Sequence, residues 1–252
     1  MFVVTGGGSG IGRALAQTLT LRGKNVLIVG RRQDALLETA AFSPLISVCS
    51  ADISCTEGRR DVVAHLKDIT HLEGLVHNAA VLEPVSPIAS IDELAWEKAM
   101  ETNLNAPLFL SRLLLPKLHN GRVLHIGSGA AYFPVVAWAA YCVSKAALSM
   151  LTQCWQLESK DTAFASVMPG IIDTDMQAFI RQSPCMDEDK LQFFKSLKQK
   201  NQLLTPETVA LFLSWLLLDV KTENYIAREW DIYDTTHHAS WLVKPHVVPH
   251  WE

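Results

Sequence analysis

The sequence predicts an α/β fold with one doubly wound parallel sheet. The chain has 252 residues, of which 49% are hydrophobic and 19% charged, so it can bury a large core. Short apolar segments alternate with longer segments of helical pattern, as in repeated β-α units. Most of the apolar segments are continuous, which is typical of parallel strands covered by helices on both faces.

The elements follow in order along the chain. The predicted strands are 2–5, 25–30, 46–51, 74–77, 122–127, 163–168 and 229–233, which makes a sheet of about seven strands. Helical patterns lie between them, among others at 11–21, 33–41, 91–103, 108–118 and 139–158. We see no linker that divides the chain, so we expect a single domain over 1–252.

Composition excludes several classes of protein. The net charge of −4 does not favour nucleic acid, and no apolar run approaches the length of a membrane span. Five cysteines form no CxxC pair, and the N-terminus lacks a basic segment followed by an apolar one, so we expect a cytoplasmic protein with reduced thiols. The nine histidines lack carboxylate or cysteine partners at ligand spacing, so we expect no metal site.

A glycine-rich loop joins the first strand to the first helix. Glycines let the backbone turn tightly and approach a pyrophosphate, whose charge a helix N-terminus favours. A glycine-rich loop can also be a simple turn, but its place in a β-α-β unit predicts a dinucleotide site. The loop residues are Thr5, Gly6, Gly8, Ser9, Gly10, Ile11 and Gly12.

The end of the second strand indicates which dinucleotide binds. An acidic residue there would bind the ribose hydroxyls of NAD, but this chain has Arg31 and Arg32. A guanidinium can hold a 2′-phosphate through two hydrogen bonds, so we expect NADP(H) in preference to NAD(H). The two arginines could also simply begin an exposed helix. After the third strand, Asp52 and Ile53 could meet the adenine ring, although a turn-forming Asp is an equally good explanation.

Tyr141 and Lys145 are spaced to share one helix face, and Ser128 lies just past a predicted strand end. An ammonium near a phenol favours the phenolate, so we expect Lys145 to lower the pKa of Tyr141 and make it a general acid or base. The spacing alone could arise by chance, and a Ser in such a loop is usually a turn former. Together the three residues predict a site where hydroxyls stabilise a developing oxyanion.

The chain resembles the short-chain dehydrogenases/reductases over essentially its whole length. The resemblance rests on the loop from Thr5 to Gly12, and on His77-Asn78-Ala79-Ala80, Asn103, Ser128, Tyr141-x-x-x-Lys145 and Pro169-Gly170-x-x-x-Thr174, in that order. It implies a Rossmann-type domain in which Ser128, Tyr141 and Lys145 catalyse and Asn103 completes a water-linked proton relay. Ala80 stands where family members often have glycine. The closest similarity is to carbonyl reductases like sepiapterin reductase and benzil reductase.

The resemblance extends the cofactor site to Asn78, Ala79, Ala80, Pro169, Gly170, Ile172 and Thr174, besides Tyr141 and Lys145. Local alternatives stay open, because Asn103 could be a helix cap and Pro169-Gly170 a plain turn. The candidate substrate walls are Phe133, Trp138, Met176 and Phe179, any of which could instead belong to the core.

The stretch 173–201 is too long for an ordinary connection, so it is either a lid or a surface helix pair. The tail from Thr235 onward, with Trp241 and Trp251, is expected to dock on the substrate side or on a neighbouring subunit.

The first hypothesis for function is NADPH-dependent reduction of a ketone, diketone or aldehyde, with Tyr141 as general acid. An NAD-dependent alcohol dehydrogenase on the same scaffold is the alternative, and a non-catalytic cofactor-binding protein is a third. The expected partner is a small carbonyl compound. Family members commonly pair through helices equivalent to 108–118 and 139–158, so we expect a homodimer or homotetramer.

Overall fold

The structure is a computed structural model that describes residues 1–250. Its centre is a parallel sheet of seven strands with the spatial order β3-β2-β1-β4-β5-β6-β7. The strands are β1 (Phe2–Thr5), β2 (Val26–Gly30), β3 (Ile46–Ser50), β4 (Gly74–His77), β5 (Arg122–Ile126), β6 (Ala163–Met168) and β7 (Trp230–Asp231). The predicted doubly wound α/β fold is therefore confirmed, and the observed strands are at most a few residues shorter than predicted.

Ten α-helices are present in the described part of the chain. They are α1 (Gly10–Leu21), α2 (Gln33–Ala40), α3 (Thr56–His65), α4 (Glu93–Met100), α5 (Ala106–Leu114), α6 (Ala139–Glu158), α7 (Asp175–Ile180), α8 (Glu188–Gln199), α9 (Pro206–Leu218) and α10 (Thr222–Tyr225). Short 3₁₀ turns follow several of the strands and helices, and the one at Gly129–Ala131 comes directly after Ser128.

Each face of the sheet is covered by its own hydrophobic cluster. Alternate residues of a strand point to opposite faces, so Phe2 and Val4 join the cluster under α1, α2 and α9 while Val3 joins the one under α3 and α5. Both faces of the central strands are fully buried, which explains their continuous apolar sequence. Burial on both sides makes the sheet a rigid base for the loops at its ends.

The prediction of two separate helices at 91–103 and 108–118 is wrong. The chain runs without interruption from α4 through a π-helical turn, Glu101–Asn105, into α5. Asn103 therefore lies inside a continuous helix, fully buried, and is not a helix cap. Such π turns inside longer helices are frequent at functional sites.

The segment 173–201 forms the two helices α7 and α8, and its ends are joined by a bridge between Ile172 and Leu204. The tail docks on α9 rather than beside the substrate walls. Trp241 is buried there against Phe212, and the His246 ring nitrogen Nδ1 lies 3.0 Å from the Thr208 hydroxyl. Trp251 lies outside the described residues. Within residues 1–250, no helix combines the length and the apolar character that a membrane span requires.

Candidate active site

A cleft of about 1320 Å³ runs along the carboxyl ends of the strands. The strand order reverses between β1 and β4, and ligands of open α/β sheets bind at such a switch point. The glycine loop, the residues after β4 and β5, and the helices α7 and α8 all contribute to the wall. The predicted cofactor and substrate residues thus meet in one place, with the exceptions described below.

The glycine loop presents backbone amides to the cleft. Ser9 is the N-cap residue of α1 but its side chain makes no capping hydrogen bond, and Ser9, Gly10 and Ile11 line the cleft. Gly6 and Gly10 have φ angles of +68° and +51°, a region that side chains other than glycine rarely adopt. Arg13 fixes the turn by donating two hydrogen bonds to the Gly8 carbonyl. This end of α1 can receive an anion.

Three of the predicted site residues do not line the cleft. The Thr5 hydroxyl accepts hydrogen bonds from the backbone amides of Asn78 and Ala79, each at 3.1 Å. It thereby joins the end of β1 to the residues that follow β4. Gly12 packs so closely that a Cβ atom would lie 2.3 Å from the Gly6 carbonyl oxygen. These two residues hold the loop in shape from outside the cleft lining, and Asn103 is the third residue that does not line the cleft.

Asn103 uses its side chain to hold the segment that follows β4. Its Oδ1 accepts from the Val81 amide at 2.9 Å, and its Nδ2 donates to the Val81 carbonyl at 2.9 Å and to the Ser144 hydroxyl at 3.0 Å. Ser144 in turn donates to the Tyr141 carbonyl at 2.8 Å. The side chain thereby ties the segment Asn78–Val81, which forms one wall of the cleft, to α6.

The far end of the cleft carries the charged residues. Arg31 and Arg32 are exposed and line it, and Arg32 Nη2 donates to the Ser9 hydroxyl at 3.2 Å. Asp52 forms a local turn, as the alternative to an adenine contact predicted: its Oδ1 accepts hydrogen bonds from the amide and the hydroxyl of Ser54. Burial by itself would raise the pKa of Asp52, but these hydrogen bonds and the charge of Arg31 outweigh it and lower the pKa. A carboxylate and a guanidinium therefore both face this end of the cleft.

Arg59 was missed by the sequence analysis. It is a buried residue that donates to the carbonyls of Ile53 at 2.8 Å and Ser54 at 3.1 Å, and so fixes the turn that carries Asp52 and Ile53. Gly58 is required beneath the same turn, because a Cβ atom there would lie 2.0 Å from the Asp52 carbonyl oxygen.

Ser128, Tyr141 and Lys145 meet at the middle of the cleft. The Ser128 hydroxyl is hydrogen-bonded to the Tyr141 phenol and also accepts from the Ala130 amide at 3.2 Å. Ser128 is therefore a turn former as well as a cleft residue. Lys145 Nζ donates to the Ile126 carbonyl at 2.7 Å and lies 5.6 Å from the centre of the Tyr141 ring.

The prediction that Lys145 lowers the pKa of Tyr141 is wrong for these surroundings. Burial raises the pKa of Tyr141 to about 12, and the hydrogen bond from Ser128 offsets only part of this. Burial also lowers the pKa of Lys145 from 10.5 to about 8. Both residues are less than a tenth exposed, and the cost of removing their charged forms from water is the largest cause of both pKa shifts.

The segment after β6 completes the floor of the cleft. Pro169, Gly170, Ile172 and Thr174 all line it, and Gly170 has a φ angle of +84°. Tyr233 was not predicted, but its hydroxyl accepts from the Ile171 amide at 2.9 Å and holds this segment in place. The Thr174 hydroxyl caps α7, so one residue lines the floor of the cleft and also begins α7.

All four predicted substrate residues line the cleft, but they differ in burial. Trp138 is 6% exposed, whereas Phe133 is 71% and Phe179 43% exposed. Trp138 stands edge-on to Tyr141 with 5.8 Å between ring centres. Its other neighbour, Phe194 of α8, was missed by the sequence analysis and stacks on it at 5.9 Å. Met176 is half-buried and packs against the same cluster.

The family model of the short chain dehydrogenases matches residues 1–184, which is well over half of the chain. The chain belongs to this family. Three curated relatives agree with the assignment. An uncharacterized oxidoreductase of Schizosaccharomyces pombe is 35% identical over 87% of this chain and 91% of its own. A benzil reductase ((S)-benzoin forming) of Bacillus subtilis is 31% identical over 92% of this chain and 98% of its own.

Sepiapterin reductase of Bos taurus is 30% identical over 92% of this short chain dehydrogenase and 94% of its own length. The crystal structure of a short chain dehydrogenase/reductase from Saccharomyces cerevisiae is similar with a TM-score of 0.88 and 30% identity, and covers 95% of this chain and 98% of that one. The predicted family, and its similarity to the benzil and sepiapterin reductases, are confirmed.

Short chain dehydrogenases bind a nicotinamide cofactor, and the residues of this member fit such a group. The open N-terminus of α1 can receive a pyrophosphate, because Ser9 leaves its amides uncapped and Gly10 keeps the approach free of a side chain. At Gly8 a Cβ atom would lie 3.2 Å from the Ala35 side chain, a tight contact that would require a small shift of Ala35. The cleft is long enough to connect this cradle with Ser128 and Tyr141.

Proposed function

We propose that this short chain dehydrogenase is an NADPH-dependent reductase that converts a ketone, diketone or aldehyde carbonyl into an alcohol. One observation carries the proposal. Ser128, Tyr141 and Lys145 stand together in a single cleft, between the glycine loop at one end and the aromatic pair Trp138 and Phe194 at the other. The relatives named as reductases support the same class of reaction.

Each residue of this site has a chemical role in the proposal. The bound nicotinamide supplies the hydride that the carbonyl carbon accepts. The hydroxyls of Ser128 and Tyr141 then hydrogen-bond the carbonyl oxygen as negative charge develops on it. Tyr141 delivers its proton to that oxygen, and its raised pKa keeps the phenol protonated until then. Lys145 is held by the Ile126 carbonyl and keeps two further donors for the ribose and for Tyr141.

The proton relay through Asn103 remains part of the proposal. Its side chain is already engaged by Val81 and Ser144, so its first effect is to hold Tyr141 and the wall of the cleft in register. Loss of this amide should therefore misplace the general acid even if no proton passes through it.

The preference for NADPH rests on Arg31 and Arg32. Both guanidiniums are exposed at the end of β2 and can bind a 2′-phosphate through paired, charge-assisted hydrogen bonds. Asp52 faces the same end, but its Oδ1 accepts two hydrogen bonds from Ser54, and the charge of Arg31 also acts on its carboxylate.

The comparison of the two cofactors tests this proposal directly. We expect kcat/KM with NADPH to exceed that with NADH, using α-diketones, pterin carbonyls and simple aldehydes as substrates. Arg31→Ala should raise KM for NADPH about tenfold to a hundredfold, because it removes a charge-assisted hydrogen bond, and leave KM for NADH unchanged. Arg60→Ala is the matched control, since Arg60 is exposed on α3 and does not line the cleft.

Two outcomes would replace the proposal. A preference for NADH, with oxidation of alcohols favoured over reduction, would identify an NAD-dependent alcohol dehydrogenase and remove the role given to Arg31. Tight binding of either cofactor without turnover of any carbonyl would identify a non-catalytic cofactor-binding protein.

The oligomeric state and the location of the protein belong to the same proposal. Apolar side chains of α5 and α6 are exposed, namely Leu113, Val143, Met150 and Leu157. We expect these helices to pair in a homodimer or homotetramer, which analytical ultracentrifugation would measure. All five cysteines are free thiols, consistent with a reducing cytoplasm.

A further inference from the structure

The turn that carries Ser128 is anchored at both ends. At its start, the Gly127 amide donates to the Val167 carbonyl at 2.8 Å and extends the pairing of β5 with β6. Ser128 then caps the 3₁₀ turn Gly129–Ala131, and the amide of Tyr132 closes it by donating to the Gly129 carbonyl at 3.0 Å. Tyr132 is therefore the first side chain after the turn.

The Tyr132 hydroxyl reaches back to the helix face that carries Tyr141 and Lys145. It lies 2.8 Å from the hydroxyl of Ser149, one helical turn beyond Lys145, and donates a short hydrogen bond to the Glu229 carboxylate. Ser149 is buried, whereas Tyr132 is 53% exposed. The turn is thus attached to α6 at a point close to the catalytic residues.

The Glu229 carboxylate accepts two hydrogen bonds, one at each oxygen. Its Oε2 takes the Tyr132 proton, and its Oε1 accepts from the Ser166 hydroxyl of β6 at 2.6 Å. Because an ionised carboxylate only accepts, the phenol must donate to Glu229, and the Ser149 hydroxyl must then donate to the phenol. Burial and the Glu229 hydrogen bond raise the pKa of Tyr132, so the phenol keeps the proton that this arrangement needs.

Glu229 also lies under the residue that precedes Ser128. A Cβ atom at Gly127 would be 3.4 Å from Oε1 of Glu229 and 3.1 Å from the Val167 carbonyl oxygen. The carboxylate therefore lies close to the start of the turn and binds its end through Tyr132. Four hydroxyl and carboxylate groups from the turn, α6, β6 and the residue before β7 form one continuous chain of hydrogen bonds: Ser149, Tyr132, Glu229 and Ser166.

We propose that Tyr132 and Glu229 are positioning residues that hold the Ser128 hydroxyl beside Tyr141 during catalysis. The inference rests on the proposed function, since Ser128 has a catalytic role only if the site reduces carbonyls. Neither side chain is part of the site described above, and each acts through the turn. Removing the Tyr132 hydroxyl frees the end of the turn, so the Ser128 hydroxyl no longer stays at the distance from the carbonyl oxygen that the reaction needs.

Tyr132→Phe tests the proposal with the smallest possible change, because it removes one hydroxyl and keeps the ring. We expect kcat to fall about tenfold, with KM for the carbonyl and Kd for NADPH within about twofold of wild type. Tyr225→Phe is the matched control. Its hydroxyl is fully buried and donates to the Val123 carbonyl at 2.9 Å, near the opposite end of β5 from Ser128, so its loss should lower stability and leave kcat unchanged.

A double-mutant cycle separates positioning from a general loss of structure. If Tyr132 acts through Ser128, then Tyr132→Phe should not reduce kcat any further in a Ser128→Ala background. A structural defect would reduce kcat by the same factor in both backgrounds, and that result would overturn the proposal. Glu229→Gln keeps an acceptor oxygen for Tyr132 and should retain most of kcat, whereas Glu229→Leu should behave like Tyr132→Phe.

Amide hydrogen exchange of the peptide 127–133 gives a readout that does not depend on turnover. We expect exchange there to be several-fold faster in Tyr132→Phe than in wild type or in Tyr225→Phe. If wild type reduces no carbonyl, the proposed function fails while this measurement still decides whether Tyr132 holds the turn. Unchanged exchange together with unchanged kcat would refute the anchoring role itself.

Discussion

The ammonium of Lys145 is buried in the folded protein, and its burial allows a prediction about stability that needs no substrate. Only 3% of the residue is exposed, and burial lowers its pKa from 10.5 to about 8. Between these two values the unfolded chain keeps a proton that the folded chain releases. The free energy of unfolding must therefore rise with pH through this window.

The size of the effect follows from the shift. Each pH unit corresponds to about 1.36 kcal/mol, so the full penalty of burying the ammonium is about 3 kcal/mol at low pH. Between pH 7 and pH 9.5, protonation of the folded state is lost and about 2 kcal/mol of this penalty disappears. Tyr141 does not interfere in this range, because its raised pKa lowers stability only above pH about 10, where the unfolded tyrosine ionises first.

Lys145→Met removes the titrating group and keeps a side chain of similar length. Urea unfolding of wild type and variant at several pH values from 7 to 9.5, without cofactor, measures the difference between their free energies of unfolding. We expect this difference to change by about 2 kcal/mol in favour of wild type as the pH rises. Lys67→Met, at an exposed site, should follow wild type throughout. A difference that stays constant across this pH range would refute the conclusion that burial lowers the pKa of Lys145.

Three further predictions concern the cleft. Tyr141→Phe should retain NADPH binding, measured by fluorescence titration, and lose kcat by about a thousandfold, because it removes the general acid; near-normal turnover would contradict the mechanism. Gly170→Ala should lower the free energy of unfolding by about 1 to 3 kcal/mol, since the φ angle of +84° strains any side chain and the new Cβ would lie 2.7 Å from the Tyr233 hydroxyl; an unchanged thermal midpoint would show that the turn relaxes freely. Phe194→Ala should raise KM for aryl ketones and spare small aliphatic aldehydes, because it removes the ring that stacks on Trp138; equal effects on both substrates would mean that the pair is only core.

Much of the fold could be predicted because its signals are local. Continuous apolar strands, a glycine loop before a helix and the four-residue spacing of Tyr141 and Lys145 are each contained in a few neighbouring residues. The length of the segment 173–201 also indicated that it is more than an ordinary connection. Asn103 shows where local reasoning stops, since an asparagine near the end of an apolar pattern looks like a cap, and only the observed π turn makes it an interior residue.

The sequence by itself determined the number of strands and their order along the chain, the family, and the three residues that meet in the middle of the cleft, because a short motif carries its own geometry. The tertiary structure decided what surrounds those residues. The pKa of Tyr141 moves up rather than down because distant segments exclude water from it. Tyr132 meets Glu229 across 97 positions of the chain, and Trp138 meets Phe194 of α8. Desolvation and long-range contacts depend on what the whole fold brings together, and no local pattern encodes them.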